Sequence, residues 1–220
     1  MPPTPLRFYF DYVSPNAYLA CTQLPELSNR HGIRVEPVPV LFAGLLTAHG
    51  RMGPAEIPVV MRWMWKNILR KATVLHVPFH RPAFHPFNPL LALRVSSLPL
   101  PAEDRWRLID ALFRAVWARG LHVSEPEVVE TIADEVGLSG AALVAAAEDA
   151  DAKSRLRAQT DDALARGVFG VPSMEASGEI FWGYDDWPQL TRFLAGQDSI
   201  DPADWKEWET PLRASAVRPR

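Results

Sequence analysis

Three short clusters in this 220-residue chain combine residue types and spacings that could do chemistry. The first is Ser14-Pro15-Asn16-Ala17, which follows the apolar run Phe8-Tyr9-Phe10 and a turn at 11–13. Proline in the first turn of a helix costs little, because its missing N–H would lack a partner there anyway. Ser14 therefore falls at or next to the N-cap, where unpaired backbone donors and the helix dipole favour negative charge. A thiolate brought against that end would be stabilised. The chain does not supply the thiol, since its one cysteine, Cys21, lies two helical turns beyond Ser14 and has no partner. The bland reading of the same residues is an ordinary helix cap, worth about 1 kcal/mol.

The second cluster is RGVFGVPSMEASGEIFWG, residues 166–183. Gly167 closes a helix carrying Lys153 to Arg166. Val171-Pro172 opens a strand, Ser177-Gly178 is a hairpin turn, and Glu179 to Trp182 is the returning strand. Proline at the first residue of a strand is tolerated, and a cis bond there would be a retained feature. Such a turn leaves the N–H and C=O of Val171 free to pair with an extended ligand, as an added strand does. A plain bend between helix and strand accounts for the residues as well.

The third cluster, 61–87, is dense in Trp, Met and His. His76, His80 and His85 have no acidic or cysteine companion and match no zinc spacing, so no metal is expected. Trp63, Met64 and Trp65, with Tyr12 and Tyr18 flanking Ser14, either line a cavity for a flat aromatic substrate or form core; Tyr18 reads as core.

These clusters need elements to position them. Residues 6–41 read strand, helix, strand, as LRFYF, Pro15 to Asn29 and IRVEPVPV; the two prolines of the last run argue for an edge or a strand that ends early. Residues 42–165 read as helical almost throughout. Trp106, Ile109, Leu112/Phe113 and Val116/Trp117 make one apolar face over 103–119. Ser124-Glu125-Pro126-Glu127 reads as a capping box, Gly137 as a helix end, and Ser139 as the next cap. Residues 166–196 return to strand, strand, helix. The tail 197–220, with Pro202, Pro211 and Pro219, shows no period and reads as partly loose.

A β-α-β unit and a β-β-α unit separated by helices is the thioredoxin pattern with an all-helical insertion, an α/β fold of the DsbA-like kind. The thioredoxin-like domain would comprise 1–41 and 166–196, and the helical insertion 42–165. FYFDYVSPNAYLA, PVLFAGLL, HPFNPLLALR, RGVFGVPSM and FWGYDDW stand in order along the chain to about residue 195. In these segments the chain resembles the 2-hydroxychromene-2-carboxylate isomerases and the related kappa-class glutathione transferases of the DsbA-like branch. Where enzymes of this fold carry the first cysteine of C-x-x-C, this chain has Ser14, which argues against disulfide exchange.

The resemblance implies glutathione as cofactor, with its cysteine against Ser14 and its backbone paired with Val171 beside a cis Pro172. Ser14 would donate to the sulfur and favour the thiolate, which would add to an unsaturated carbon, permit rotation and be expelled. Asp185 would take the γ-glutamyl amino group. Asn88 and Arg94 occupy other family positions; Asn88 also reads as a helix cap, and Arg94 as a solvated or structurally paired cation. The sequence departs from the family pattern at Arg51, Val60 and Asp186. A usual asparagine and two usual cations are missing there, and one anion is added, which should weaken binding of a ligand with two carboxylates. Arg51 could compensate by gripping a carboxylate with its fork. The alternatives are a transferase that keeps the thioether and a binding module that has lost glutathione.

The composition is consistent with this. A 48% hydrophobic content over 220 residues can bury a sizeable core. A net charge of −3 gives no electrostatic footprint for nucleic acid or an anionic membrane. The N-terminus MPPTPLRFYF lacks the features of a secretory signal, no apolar run reaches membrane-spanning length, and one cysteine permits no internal disulfide. A cytoplasmic protein acting on a small aromatic substrate, as a homodimer, is the expectation.

Overall fold

Aromatic and branched residues at 6–10 favour an extended chain buried on both faces, and Leu6–Phe10 forms strand β1. The computed structural model describes residues 4–208. Helix α1 (Pro15–His31) carries the chain back to β2 (Val35–Pro39), which pairs parallel with β1 from Leu6↔Val35 to Phe10↔Pro39. The sheet order is β2-β1-β3-β4, so β2 is an edge, where Pro37 and Pro39 need not donate on the open side. Strand β3 (Ser173–Ala176) runs antiparallel to β1 through Phe8↔Met174 and pairs with β4 (Glu179–Trp182) as a hairpin. Ser177 and Gly178 have φ of 52° and 94°, the two left-handed residues that a primed two-residue turn requires. Helix α9 (Trp187–Leu194) closes the unit.

Between β2 and β3 lie α2 (Phe42–Ala48), α3 (Pro58–Val74), α4 (Leu90–Ser96), α5 (Ala102–Trp117), α6 (Pro126–Glu135), α7 (Gly140–Glu148) and α8 (Ala150–Ala165). This insertion shares its core with the sheet. Phe10 and Tyr12 pack at a tilt against Phe113 at ring distances of 5.4 and 4.6 Å, and Trp117 stacks on Phe79 at 5.6 Å. The apolar face anticipated on α5 is the one buried here: Ile109, Leu112, Phe113, Val116 and Trp117 are all interior, while Trp106 is only partly covered.

Three local expectations are corrected. The capping box at Ser124 does not form. Its hydroxyl donates instead to the Asn88 carbonyl at 2.6 Å, and Glu125 stands at the N-cap of α6 without a side-chain capping bond. Ser139 likewise makes no capping bond; Asp134 reaches across to accept from the Gly140 N–H at 2.8 Å. At Ser124 a tertiary partner wins over the local one. Pro202 opens a helix, α10 (Pro202–Trp208), in the tail read as aperiodic, as proline at a first helical position can. Pro211 and Pro219 lie outside the described residues.

Candidate active site

The chain leaves β1 and enters α1 through a turn fixed by its own backbone, with the Ser14 N–H donating to the Asp11 carbonyl at 3.1 Å. Ser14 is the N-cap, with extended φ/ψ of −94° and 111°, and its Oγ accepts from the Ala17 N–H at 3.2 Å. The hydroxyl proton points elsewhere, to the carbonyl of Val171 at 3.3 Å. That is long for an O–H···O bond, so a better acceptor can displace it. The bond between Val171 and Pro172 is cis. Val171 was expected to offer both backbone groups; its carbonyl is taken by Ser14, and its N–H makes no hydrogen bond among the described residues.

From this point a ring of contacts runs round the end of α1. The Gly183 N–H donates to the Pro172 carbonyl at 2.8 Å, which ties the end of β4 to the cis-proline loop. Two residues on, Asp185 pairs with Lys71 of α3 at 2.8 Å, and the Lys71 ammonium also donates to Asn16 Oδ1 at 3.1 Å. Asn16 belongs to the first turn of α1, so the ring closes two residues after Ser14. Asp186, read as an added anion facing the ligand, turns away: its Oδ2 accepts from the Trp182 N–H at 2.9 Å. On the opposite flank the Arg51 guanidinium lies 5.9 Å from the Phe169 ring and 5.7 Å from the Trp182 ring. Both rings border the loop that carries Val171. Trp182 packs so tightly there that a Cβ on Gly170 would come within 2.4 Å of its Nε1, leaving glycine as the one residue that fits.

Asp11 and His85 support the turn from beneath. Asp11 is fully buried and accepts from the Val13 N–H at 3.1 Å and the Phe42 N–H at 2.9 Å, so it links the Ser14 turn to the start of α2. Desolvation pushes its carboxyl up to about 7, only partly offset by the backbone donors. His85 Nε2 lies 2.8 Å from the Val13 carbonyl; a carbonyl can only accept, so Nε2 carries the proton. Burial holds the imidazole below its ordinary pKa and therefore neutral. Its buried Nδ1 has no partner among the described residues.

The buried Asp11 has a measurable consequence. Because its folded pKa lies above the unfolded value near 3.8, the native state holds this proton more tightly. Stability from this group is full below the unfolded value and is lost as pH rises through about 7. The slope is at most about 1.4 kcal/mol per pH unit. Urea titrations between these limits should show Asp11→Asn lacking that falling component, whatever its absolute stability. Identical slopes in both proteins would remove the assignment.

The remaining anticipated site residues divide. Tyr12 is not a pocket wall; it is wholly interior, and its hydroxyl pairs with Ser96 Oγ at 2.6 Å. Tyr18 is core as expected, with its hydroxyl on the Pro78 carbonyl at 2.8 Å. Trp63 is 59% exposed and so not core, whereas Met64 is buried. Trp65 packs edge-on against His85 at 5.0 Å and so lies beside the Ser14 turn. Asn88 stands one residue before Pro89, the N-cap of α4, and accepts from the Leu90 N–H at 3.0 Å; no hydrogen bond joins it to Ser14 or Val171 among the described residues. Arg94 is partly exposed and forms no ion pair among the described residues, so of the two expected roles the paired one does not appear; its buried Nε has no partner among the described residues. The sequence reading missed Lys71, Asn16, Asp11 and His85. Lys71 left a signal, because it interrupts the apolar stripe Met64, Ile68, Ala72 and Leu75 on α3.

Residues 5–195 match the DSBA-like thioredoxin domain. The 2-hydroxychromene-2-carboxylate isomerase of Sphingobium xenophagum is 30% identical over 192 residues, covering 86% of this chain and 97% of that protein. The chain belongs to the 2-hydroxychromene-2-carboxylate isomerase family. It is an enzyme of that isomerase type. The related glutathione S-transferase kappa 2 of Caenorhabditis elegans is 26% identical over 205 residues, covering 86% of this chain and 91% of that protein. A solved 2-hydroxychromene-2-carboxylate isomerase superposes with a TM-score of 0.82 at 22% identity, over 94% of this chain and 98% of that one, and so shares the fold. Among the described residues no helix is long and apolar enough to cross a membrane.

Proposed function

We propose that this enzyme is a glutathione-dependent isomerase acting on an aromatic ring-cleavage product of the 2-hydroxychromene-2-carboxylate kind. One observation carries the reading: a serine hydroxyl, at the N-cap of α1 and 3.3 Å from the carbonyl before a cis-proline, has a proton to give to an incoming anion. The surroundings suit glutathione. The Val171 N–H suits an extended peptide, the Lys71–Asp185 pair suits a zwitterionic end, and Arg51 suits a carboxylate. Asp186 is turned onto the backbone, so it opposes the ligand less than its charge suggests.

When bound, glutathione supplies a thiolate that adds reversibly to an unsaturated carbon, making a double bond single so that it can rotate. The protein's task is to hold that sulfur ionised. A thiol with pKa about 8.5 must fall by roughly two units to be mostly ionised at neutral pH, and each unit corresponds to about 1.4 kcal/mol. A hydrogen bond from Ser14 to an anion contributes about 1.5–3 kcal/mol, and the helix terminus about 0.3–1 kcal/mol. Together they contribute about 1.8–4 kcal/mol, a range that spans the roughly 2.8 kcal/mol needed, and the hydroxyl is the larger part. Trp65 and the neutral His85 form the aromatic side of the site, where a flat substrate would lie beside the Ser14 turn.

The kinship with kappa-class transferases supports a second reading, in which the thioether is kept as product. A glutathione balance separates the two. Isomerisation returns the thiol, so many turnovers should leave its concentration unchanged, whereas a transferase consumes one glutathione per product. Failure of reduced glutathione to bind at about 10 mM, roughly a hundredfold above a Kd near 0.1 mM, would exclude both. We further propose a homodimer, checked by light scattering.

A further inference from the structure

We infer that Lys71 is a specificity-determining residue that binds the α-carboxylate of the γ-glutamyl group, so that Lys71 and Asp185 together read a free amino-acid end. This rests on the glutathione reading above and adds to it a cation from a helix that the five sequence segments do not include.

Lys71 sits on the stripe of α3 that packs inward, and its side chain is 14% exposed against 69% for Asp185. A lysine so covered is held in place before any ligand arrives, which lowers the entropy lost on binding. Of its three N–H donors, one goes to Asp185 Oδ2 at 2.8 Å and one to Asn16 Oδ1 at 3.1 Å. The third has no acceptor among the described residues. Asp185 likewise keeps one oxygen with no hydrogen bond among the described residues. The pair therefore presents one charged donor beside one charged acceptor. That is the complement of an ammonium and a carboxylate on a single carbon, the feature that distinguishes a γ-glutamyl end from an ordinary peptide.

Position supports this use. Asn16 anchors Lys71 two residues beyond the serine that receives the sulfur, and Gly183 anchors the Asp185 segment to the carbonyl of Pro172. The charged pair and the hydroxyl thus belong to one closed ring of contacts. Asp186, which carries the wrong sign for a carboxylate, is bonded to the Trp182 N–H and leaves this role to Lys71. Arg51, on the far flank against Phe169 and Trp182, is left for the other carboxylate of the tripeptide.

The test compares two probes by calorimetry: glutathione, and γ-aminobutyryl-cysteinyl-glycine, which lacks only the α-carboxylate. The full-length protein should bind glutathione about tenfold more tightly than the analogue, as expected for one charge-assisted hydrogen bond. Lys71→Gln should abolish that preference by weakening glutathione alone, and Lys71→Arg should retain most of it. A merely structural lysine would weaken both probes alike in Lys71→Gln, and that result would overturn the inference. So would a preference that persists in Lys71→Gln, or a wild-type protein that binds both probes equally. A wild-type protein that binds neither overturns the glutathione reading itself and this inference with it.

Discussion

Ser14→Ala should lower turnover by about 10–100-fold while leaving the fold intact, as expected when one hydrogen bond of about 1.5–3 kcal/mol to an anion is removed. The substitution deletes two bonds of different worth. The bond accepted from the Ala17 N–H is a helix cap, and its loss costs about 1 kcal/mol of stability. The bond now given to Val171 is the one that would turn to the sulfur, and its loss removes the main support of the thiolate. Ser14→Gly separates the two. Glycine at an N-cap costs only a few tenths of a kcal/mol, about a third of what alanine does, yet it too lacks the hydroxyl. The two variants should therefore fall together in steady-state turnover and differ in urea midpoint. If activity instead tracks stability, with Ser14→Gly near wild type, Ser14 is a cap and nothing more.

The second large effect is on stability. Trp117→Ala should cost about 4 kcal/mol, within the 3–5 kcal/mol range for removing a buried aromatic. The ring is fully buried, stacks on Phe79 and meets Trp65 and His85. Its Nε1 donates to the Tyr12 carbonyl at 3.0 Å, two residues before Ser14. The cavity would thus open beneath the turn that positions the hydroxyl. Trp117→Phe keeps most of the packing and loses that donor, so about 1–3 kcal/mol is expected for the carbonyl left without it. Chemical denaturation checks both, and a Trp117→Ala protein within 1 kcal/mol of wild type would contradict the packing described.

What could be read from the sequence was mostly local. Phe8-Tyr9-Phe10, Ser14-Pro15 and Ser177-Gly178 each carry their geometry in adjacent residues, and each forms the element expected. Pro37 and Pro39 announced an edge strand because proline's missing donor is a local fact with a sheet-wide consequence. The misreadings arise where distant parts of the chain compete. Ser124 had a good local bond available and took the Asn88 carbonyl instead, 36 residues away. Tyr12 was placed at a pocket because it flanks Ser14, yet it points into the interior, where Phe10 and Phe113 receive it. Trp63 and Trp65 are two residues apart on a helix and so face different surroundings, one solvent and the other His85.

The charged part of the site was the least legible. Asp185 and Asp186 are adjacent and identical in type, and only the three-dimensional turn decides that one pairs with Lys71 while the other takes the Trp182 N–H. Lys71 was overlooked because a lysine is normally solvated; its place on an apolar stripe was the available clue. Asp11 gave no such clue. Its raised pKa comes from complete burial, which the Phe42 N–H of the arriving α2 only partly offsets, and its neighbours in sequence reveal neither.

The most direct test of the account is the ionisation of glutathione's thiol when bound, followed by its ultraviolet thiolate absorbance across pH in wild type and Ser14→Ala. The bound thiol should titrate about two units below the free value of about 8.5 in wild type, and at least about one unit higher in the variant. A bound thiol that titrates near its free value in wild type, or identically in both proteins, would contradict the role assigned to Ser14.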